Sequence, residues 1–295
     1  MRSLSLAIIL VIVGACGDAT PATPVTTSTT TIPSPTTVTT EASEEFEPWA
    51  LVVVGDYGDG GDAEQAVAAA IGDWVGLHPE TVAMVTTGDN FYTADVASAW
   101  TEPYGWLTDA GLEVWASPGN HDIETPGQWM ANVTAFGSFP RWGTRTAGGV
   151  TIVLLDSNQV NSPDQQAWLE TTASGLDGQP WLAVFHHPWL SCSLHGSSLL
   201  VDERWGDLLS QATLVLNGHD HNYQRFRSES GWSIVSGGGG KPLYDLSACA
   251  PGTARVAAAE AFHFLTIVGA IGSVSVEAHD LDGAVFDSVV VPTDG

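Results

Sequence analysis

Five stretches of this sequence place ligand-capable side chains directly after an apolar run. They are Gly55-Asp56-Tyr57-Gly58, Gly88-Asp89-Asn90-Phe91-Tyr92, Gly119-Asn120-His121-Asp122, Phe185-His186-His187-Pro188 and Gly218-His219-Asp220-His221. Carboxylate, phenol, amide and imidazole groups all bind metal ions, and the first two are hard oxygen donors. Taken singly, each stretch is ordinary: Gly-Asp after a strand is a turn, and a histidine there is a hydrogen-bonded side chain. Five in order, each closing an apolar run, point instead to one shared metal site. In the second stretch a tyrosine follows the carboxylate by three residues, and it is either a ligand or a packing residue.

Something must bring these stretches together. The apolar runs at 50–56, 81–89, 112–120, 149–156, 181–187 and 212–221 read as buried strands. Asp56 and Asp89 are 33 residues apart and Asp89 and Asn120 are 31 apart, the length of one strand–helix–strand unit. Each step therefore returns the chain to the same sheet edge, where such sheets bind ligands. Asp62 is expected to cap a helix from 63 to 77. Ser162-Pro163-Asp164-Gln165 supplies a cap, a first-turn proline and an N3 glutamine to a second helix, and 199–210 forms a third. After Gly218 the pattern changes to short alternating strands, mostly antiparallel, running to the C-terminus. The expected fold class is α/β (an α+β sandwich): two mixed sheets packed face to face and flanked by helices.

The ends and the charge narrow the function. Residues 1–16 hold one basic residue and a short apolar run ending in small residues before Cys16, which resembles a lipoprotein signal with Cys16 lipidated; the other reading is an ordinary secretory signal. Residues 17–45 are rich in Thr, Pro and Ser and form a disordered tether, leaving 46–295 as one domain. The protein is expected to be exported, and to meet a membrane only through that lipid anchor. Eight lysines and arginines against 34 acidic residues give a formal charge of −26, which argues against nucleic-acid binding. An anionic substrate would then be repelled unless metal ions supplied the positive field. With Cys16 lipidated, Cys192 and Cys249 remain as a pair in an oxidising compartment and are expected to form a disulfide, although the sequence does not show them to be close.

The order and composition of the five stretches resemble the calcineurin-like metallophosphoesterases over residues 49–290. That superfamily's first motif is usually Asp-x-His, and here Gly58 stands in the histidine's place. The second stretch supplies Asp-x-x-Tyr instead, the pattern of the purple acid phosphatases. The resemblance implies that Asp56, Tyr92 and His221 hold one metal ion, that Asn120, His186 and His219 hold a second, and that Asp89 bridges them. His186 is taken over His187 because the family's ligand stands two residues before a proline. One departure, Ala183 where the family often has valine, changes no ligand. A phenolate suits a trivalent ion, so the expected pair is Fe(III) in the first position and divalent Fe, Zn or Mn in the second. A histidine introduced at position 58 is expected to restore the divalent arrangement when Tyr92 is removed.

The chemistry implied is phosphoester hydrolysis by a dimetal-activated hydroxide. The leaving group's proton is expected from His121, with Asp122 orienting it. His195 is expected as a second substrate-side histidine, or else as an exposed loop residue. Asn120, His121 and His195 would face the substrate, a small phosphate ester. The favoured activity is that of an exported acid phosphatase-like phosphomonoesterase. A phosphodiesterase or nucleotidase on the same site and a non-catalytic surface binding lipoprotein are the alternatives. Tyr223 and Arg225 either line the site's rim or, for Arg225, pair with a carboxylate. The glycine run 236–241 lacks the spacing of a phosphate-binding loop and is expected to be a tight turn near the site, with Lys241 not expected to touch substrate. Oligomeric state is not legible.

Overall fold

The computed structural model describes residues 46–228 and 231–293. The proposed signal at 1–16, its Cys16 and the tether at 17–45 lie outside the described residues.

Two sheets build the domain. In the first, three parallel strands, β1 (Ala50–Val54), β2 (Thr81–Thr86) and β3 (Glu113–Ala116), continue into three antiparallel ones, β11 (Phe264–Ala270), β12 (Ser273–His279) and β13 (Val285–Pro292), in the order β13-β12-β11-β1-β2-β3. The second has the order β10-β8-β9-β7-β6-β5-β4. Its parallel centre is β5 (Val150–Leu154), β6 (Trp181–Val184), β7 (Leu214–Asn217) and β9 (Trp232–Ser236). Antiparallel β4 (Gly143–Ala147), β8 (Tyr223–Arg227) and β10 (Arg255–Ala259) complete it. The mixed two-sheet sandwich expected from the sequence is the fold observed.

The apolar runs are continuous because the central strands are buried on both faces. Leu51, Val53, Val85, Ile152, Leu154, Leu182, Leu214 and Ile234 form one core shared by the two sheets. Their strand neighbours turn outward to the helices. Val52 and Val54 pack with Val67 and Ile71 of the helix Asp62–Leu77, and Val153, Ala183 and Val215 pack with Leu169, Trp205 and Leu209. Side-chain alternation thus gives each parallel strand two apolar faces, and the polar residues that follow it are left at the strand ends.

Ser162 and Ser198 cap the helices Pro163–Gly175 and Leu199–Leu209 by accepting from Gln165 N and Val201 N. Asp62 does not cap the first helix. Gly61 occupies that position with no side-chain hydrogen bond, and Asp62 is the first helical residue, where its charge still suits the helix dipole. A further helix, Pro126–Phe136, follows the third polar stretch and is capped by Thr125. A disulfide joins Cys192 to Cys249.

Candidate metal centre

All five polar stretches emerge after parallel strands β1, β2, β3, β6 and β7 and meet at one edge. Three residues there carry positive φ, Asp56 (59°), Asp89 (52°) and His219 (72°), and they are the non-glycine residues with that conformation among the described residues. A left-handed backbone at a non-glycine costs on the order of 1–3 kcal/mol and persists where surrounding structure holds it. Here each such turn aims a side chain at the same point. Gly88 shows how close the chain segments come: a Cβ there would lie 2.7 Å from His186 Nδ1 and 2.9 Å from Gly119 N.

Four donor atoms form the first cluster. The Tyr92 hydroxyl stands 3.1 Å from Asp89 Oδ2, 3.4 Å from Asp56 Oδ1 and 3.3 Å from His221 Nε2, and His221 Nε2 is 3.4 Å from Asp56 Oδ1. The second cluster gathers about His186 Nε2, which lies 3.0 Å from Asn120 Oδ1, 3.1 Å from His219 Nδ1 and 3.3 Å from Asp89 Oδ2. Asp89 Oδ2 belongs to both clusters. The imidazoles are aimed from behind: His186 Nδ1 is held by Thr87 O at 3.1 Å and His221 Nδ1 by Pro242 O at 2.9 Å, which turns each Nε2 inward. Backbone N–H groups fix the carboxylates, with His219 N donating to both oxygens of Asp56 and His121 N to Asp89 Oδ1.

The electrostatics of these groups suit cations. Burial raises the Asp56 carboxyl despite its contacts with His221 and His186. Burial also acts to raise Asp89, but the charge of His186 and the hydrogen bond to it outweigh this and hold Asp89 low. His186 is pushed up to about 9 because Asp89 overcomes its burial. Burial, then Asp56 and Asp89, keep the Tyr92 phenol well above its ordinary range. Burial and the neighbouring histidines drive His219 down, so it is neutral and able to coordinate. Two buried carboxylates, a proton-retaining phenol and a neutral imidazole share this space with no arginine. Asp89, His186 and His219 form a group that could hold a metal ion, and the donors are oxygen-rich on the Asp56–Tyr92 side and nitrogen-rich on the His186–His219 side.

Gly58 leaves no room for a side chain at its position. Its φ is 73° and a Cβ would lie 1.8 Å from Asn90 O, while its carbonyl accepts from Tyr92 N at 2.9 Å. The first loop therefore clamps the second and delivers Tyr92. A histidine at position 58, expected above to restore a divalent site, cannot enter without displacing the Asn90 segment.

His121 stands at the rim, its ring 4.4 Å from that of Tyr92. The structure corrects its supposed partner. His121 Nδ1 pairs with Glu124 Oε2 at 2.8 Å, not with Asp122. Asp122 is buried, accepting from the backbone N–H of Asn90, Phe91 and Gly119 and the side chains of Asn90 and Asn132, so it ties the second and third loops together. The cause is the 3-10 turn His121–Ile123, in which neighbours point apart and residues three apart align.

His195 is exposed and packs its ring 4.0 Å from that of His219. Tyr223 and Arg225 are not at the rim, because both bond Asp287, Arg225 with two nitrogens. The glycine run does reach the centre. Lys241 N donates to Asp56 O, its Nζ pairs with Asp59 at 3.1 Å, and it lies 4.3 Å over the Tyr92 ring. Sequence reasoning missed Glu124, Tyr244, whose ring stacks 4.0 Å from His221, and the hydrogen bond between His187 and Ser157. Only the i+3 spacing of Glu124 from His121 carried a signal.

Comparison with known proteins shows the family and the fold. Residues 36–223 match the family described as calcineurin-like phosphoesterase. The fold is similar to that of "GAP50 the anchor in the inner membrane complex of Plasmodium" (TM-score 0.71, 13% identity, 84% of this chain and 90% of that one). It is also similar to purple acid phosphatase PPD1 of yellow lupin, Lupinus luteus (TM-score 0.66, 16% identity), covering 84% of this chain and 54% of the lupin enzyme. This chain thus spans about half the length of the lupin protein. A third similar structure is PhoD (TM-score 0.52, 8% identity, 84% and 70% covered). A search of curated proteins found no match.

Proposed function

Because the chain belongs to the calcineurin-like phosphoesterase family, we propose that it is an exported, lipid-anchored phosphomonoesterase of the purple acid phosphatase type. One observation carries this reading: the Tyr92 hydroxyl within 3.4 Å of Asp56, Asp89 and His221. In this reading Asp56, Tyr92 and His221 would hold Fe(III), Asn120, His186 and His219 would hold divalent Fe, Zn or Mn, and Asp89 would serve both.

Two ions held by these residues would supply water activation near neutral pH and positive charge for the phosphoryl oxygens. The protein does the rest. The backbone N–H groups of His219 and His121 hold the Asp56 and Asp89 carboxylates, so the ligands are set before substrate arrives. Glu124 fixes His121 through Nδ1 and leaves Nε2 to protonate the departing alkoxide. His195, its ring 4.0 Å from that of His219, is the second histidine placed to meet the phosphoryl group.

The test is metal analysis and the visible spectrum of the purified protein, followed by paired assays on monoester and diester chromogens. A coloured iron protein that cleaves monoesters faster supports the reading, whereas diester preference moves the activity to the phosphodiesterases. The likeness to a Plasmodium protein named as an anchor gives one further reading, a non-catalytic surface protein. Absence of turnover by metal-replete protein would favour it.

A further inference from the structure

His187 follows a metal-ligand histidine and has no part in the ligand set, yet its surroundings fix both its ring and its proton. Its backbone N–H donates to Ser157 Oγ at 3.0 Å, and the same Oγ lies 2.9 Å from His187 Nδ1. Ser157 is buried, and among the described residues its hydroxyl meets no other acceptor. The hydroxyl proton therefore goes to Nδ1, and the imidazole carries its own proton on Nε2. Among the described residues Nε2 has no protein partner, and it is not among the fully buried polar atoms that lack one, so it keeps some exposure. The His187 ring lies beside the second cluster, its centroid 4.6 Å from that of His219 and 5.2 Å from that of His186.

The serine is itself held. Arg141 pairs with Asp156, which caps the 3-10 turn Ser157–Gln159 by accepting from Asn158 N. Asn158 Nδ2 in turn donates to Gly119 O, one residue before Asn120. The turn that sets the His187 proton is thereby tied to the loop that carries a metal-ligand residue.

We propose that His187 is a phosphate-binding residue, presenting a neutral Nε2–H donor to a phosphoryl oxygen beside the His186–His219 cluster, with Ser157 as its positioning residue. A neutral donor suits this place, because it adds a hydrogen bond without a further charge among crowded histidines. The proposal rests on the phosphoester hydrolase reading.

The test is calorimetric titration of metal-loaded protein with inorganic phosphate. His187→Leu is expected to weaken phosphate about 10- to 100-fold, the worth of one hydrogen bond to an anion. His187→Gln, which can place an amide N–H near the same point, should stay within about threefold of wild type by the same reckoning. Both should keep their metal. Equal phosphate affinity in all three proteins overturns the proposal while leaving phosphate binding by the site intact. Loss of metal from both variants also overturns it, by making His187 a support for the ligands. If wild type binds no phosphate, the functional reading falls and this inference with it. An independent check uses nitrogen-15 histidine spectra of the wild-type protein. They should show the Nε2–H tautomer for His187, and Ser157→Ala should shift that signal; an Nδ1–H tautomer overturns the proposal without any variant.

Discussion

The Tyr92 hydroxyl and Asp89 Oδ2 lie 3.1 Å apart, a phenol and a buried carboxylate from the same loop sharing one short space with Asp56 and His221. With protein groups alone, burial and the two carboxylates keep the phenol protonated, and a trivalent ion would displace that proton. Iron-loaded protein should show a phenolate-to-iron charge-transfer band, and Tyr92→Phe should abolish it and weaken the first ion. Tyr57→Phe is the control, because Tyr57 bonds Asn90 and touches none of the ligands through its hydroxyl. A colourless iron-loaded wild type, or an unchanged spectrum in Tyr92→Phe, sinks the purple acid phosphatase assignment.

His121 and Asp122, adjacent in sequence, should fail in different ways. His121→Ala should lower turnover by roughly 100-fold or more with metal content kept, as a lost proton donor does. Asp122→Ala strands three buried backbone N–H groups, each worth about 1–3 kcal/mol, and should cost at least ~3 kcal/mol of stability. Denaturant melts and steady-state kinetics on the two variants separate the roles. A stable Asp122→Ala protein with only a catalytic defect would return Asp122 to the side of His121.

Glu64, which accepts from the backbone of the first polar loop, makes stability depend on pH. Burial raises its carboxyl to about 7, although one oxygen accepts from Asp59 N and Gly60 N. The folded state thus holds a proton that the unfolded chain, titrating near 4.5, has already released. This contribution is full below pH 4.5 and is lost as the pH rises to about 7. The total is roughly 3 kcal/mol at most. Glu64→Gln should flatten the fall in denaturant midpoint across that window, and an unchanged slope would refute the assignment.

The Cys192–Cys249 disulfide closes a 57-residue span that contains His195, His219, His221 and Tyr244. In the chain-entropy account a loop of this size contributes about 4 kcal/mol. Replacing both cysteines by serine should lower the unfolding midpoint accordingly. Peptide mapping without reduction that found two free thiols would remove the claim.

Much of this was legible because both sources of the signal are one-dimensional. Apolar runs mark doubly buried strands, and turn residues after them mark the edge where ligands gather. The five polar loops could therefore be placed at one edge from the sequence alone. Contacts between loops were not legible. Asp122 beside His121 reads as a partner in the sequence, and only the 3-10 turn sends it inward and brings up Glu124. Position 58 reads as a free site for histidine until Asn90 O is found pressed against it. Ser157 and His187 are 30 residues apart on neighbouring strands' ends, and nothing in their types announces the pairing.

The left-handed turns at Asp56, Asp89 and His219 have a practical consequence for protein engineering. At each, glycine relieves the backbone and removes a proposed ligand, so His219→Gly should be more stable than His219→Ala by about 1 kcal/mol although neither retains that imidazole. Selection for heat resistance in metal-free medium would therefore drift toward glycine at these positions and converge on a robust protein that binds nothing. Screens for hardier variants of this enzyme need metal in the buffer, so that the ligands are counted as assets of the fold.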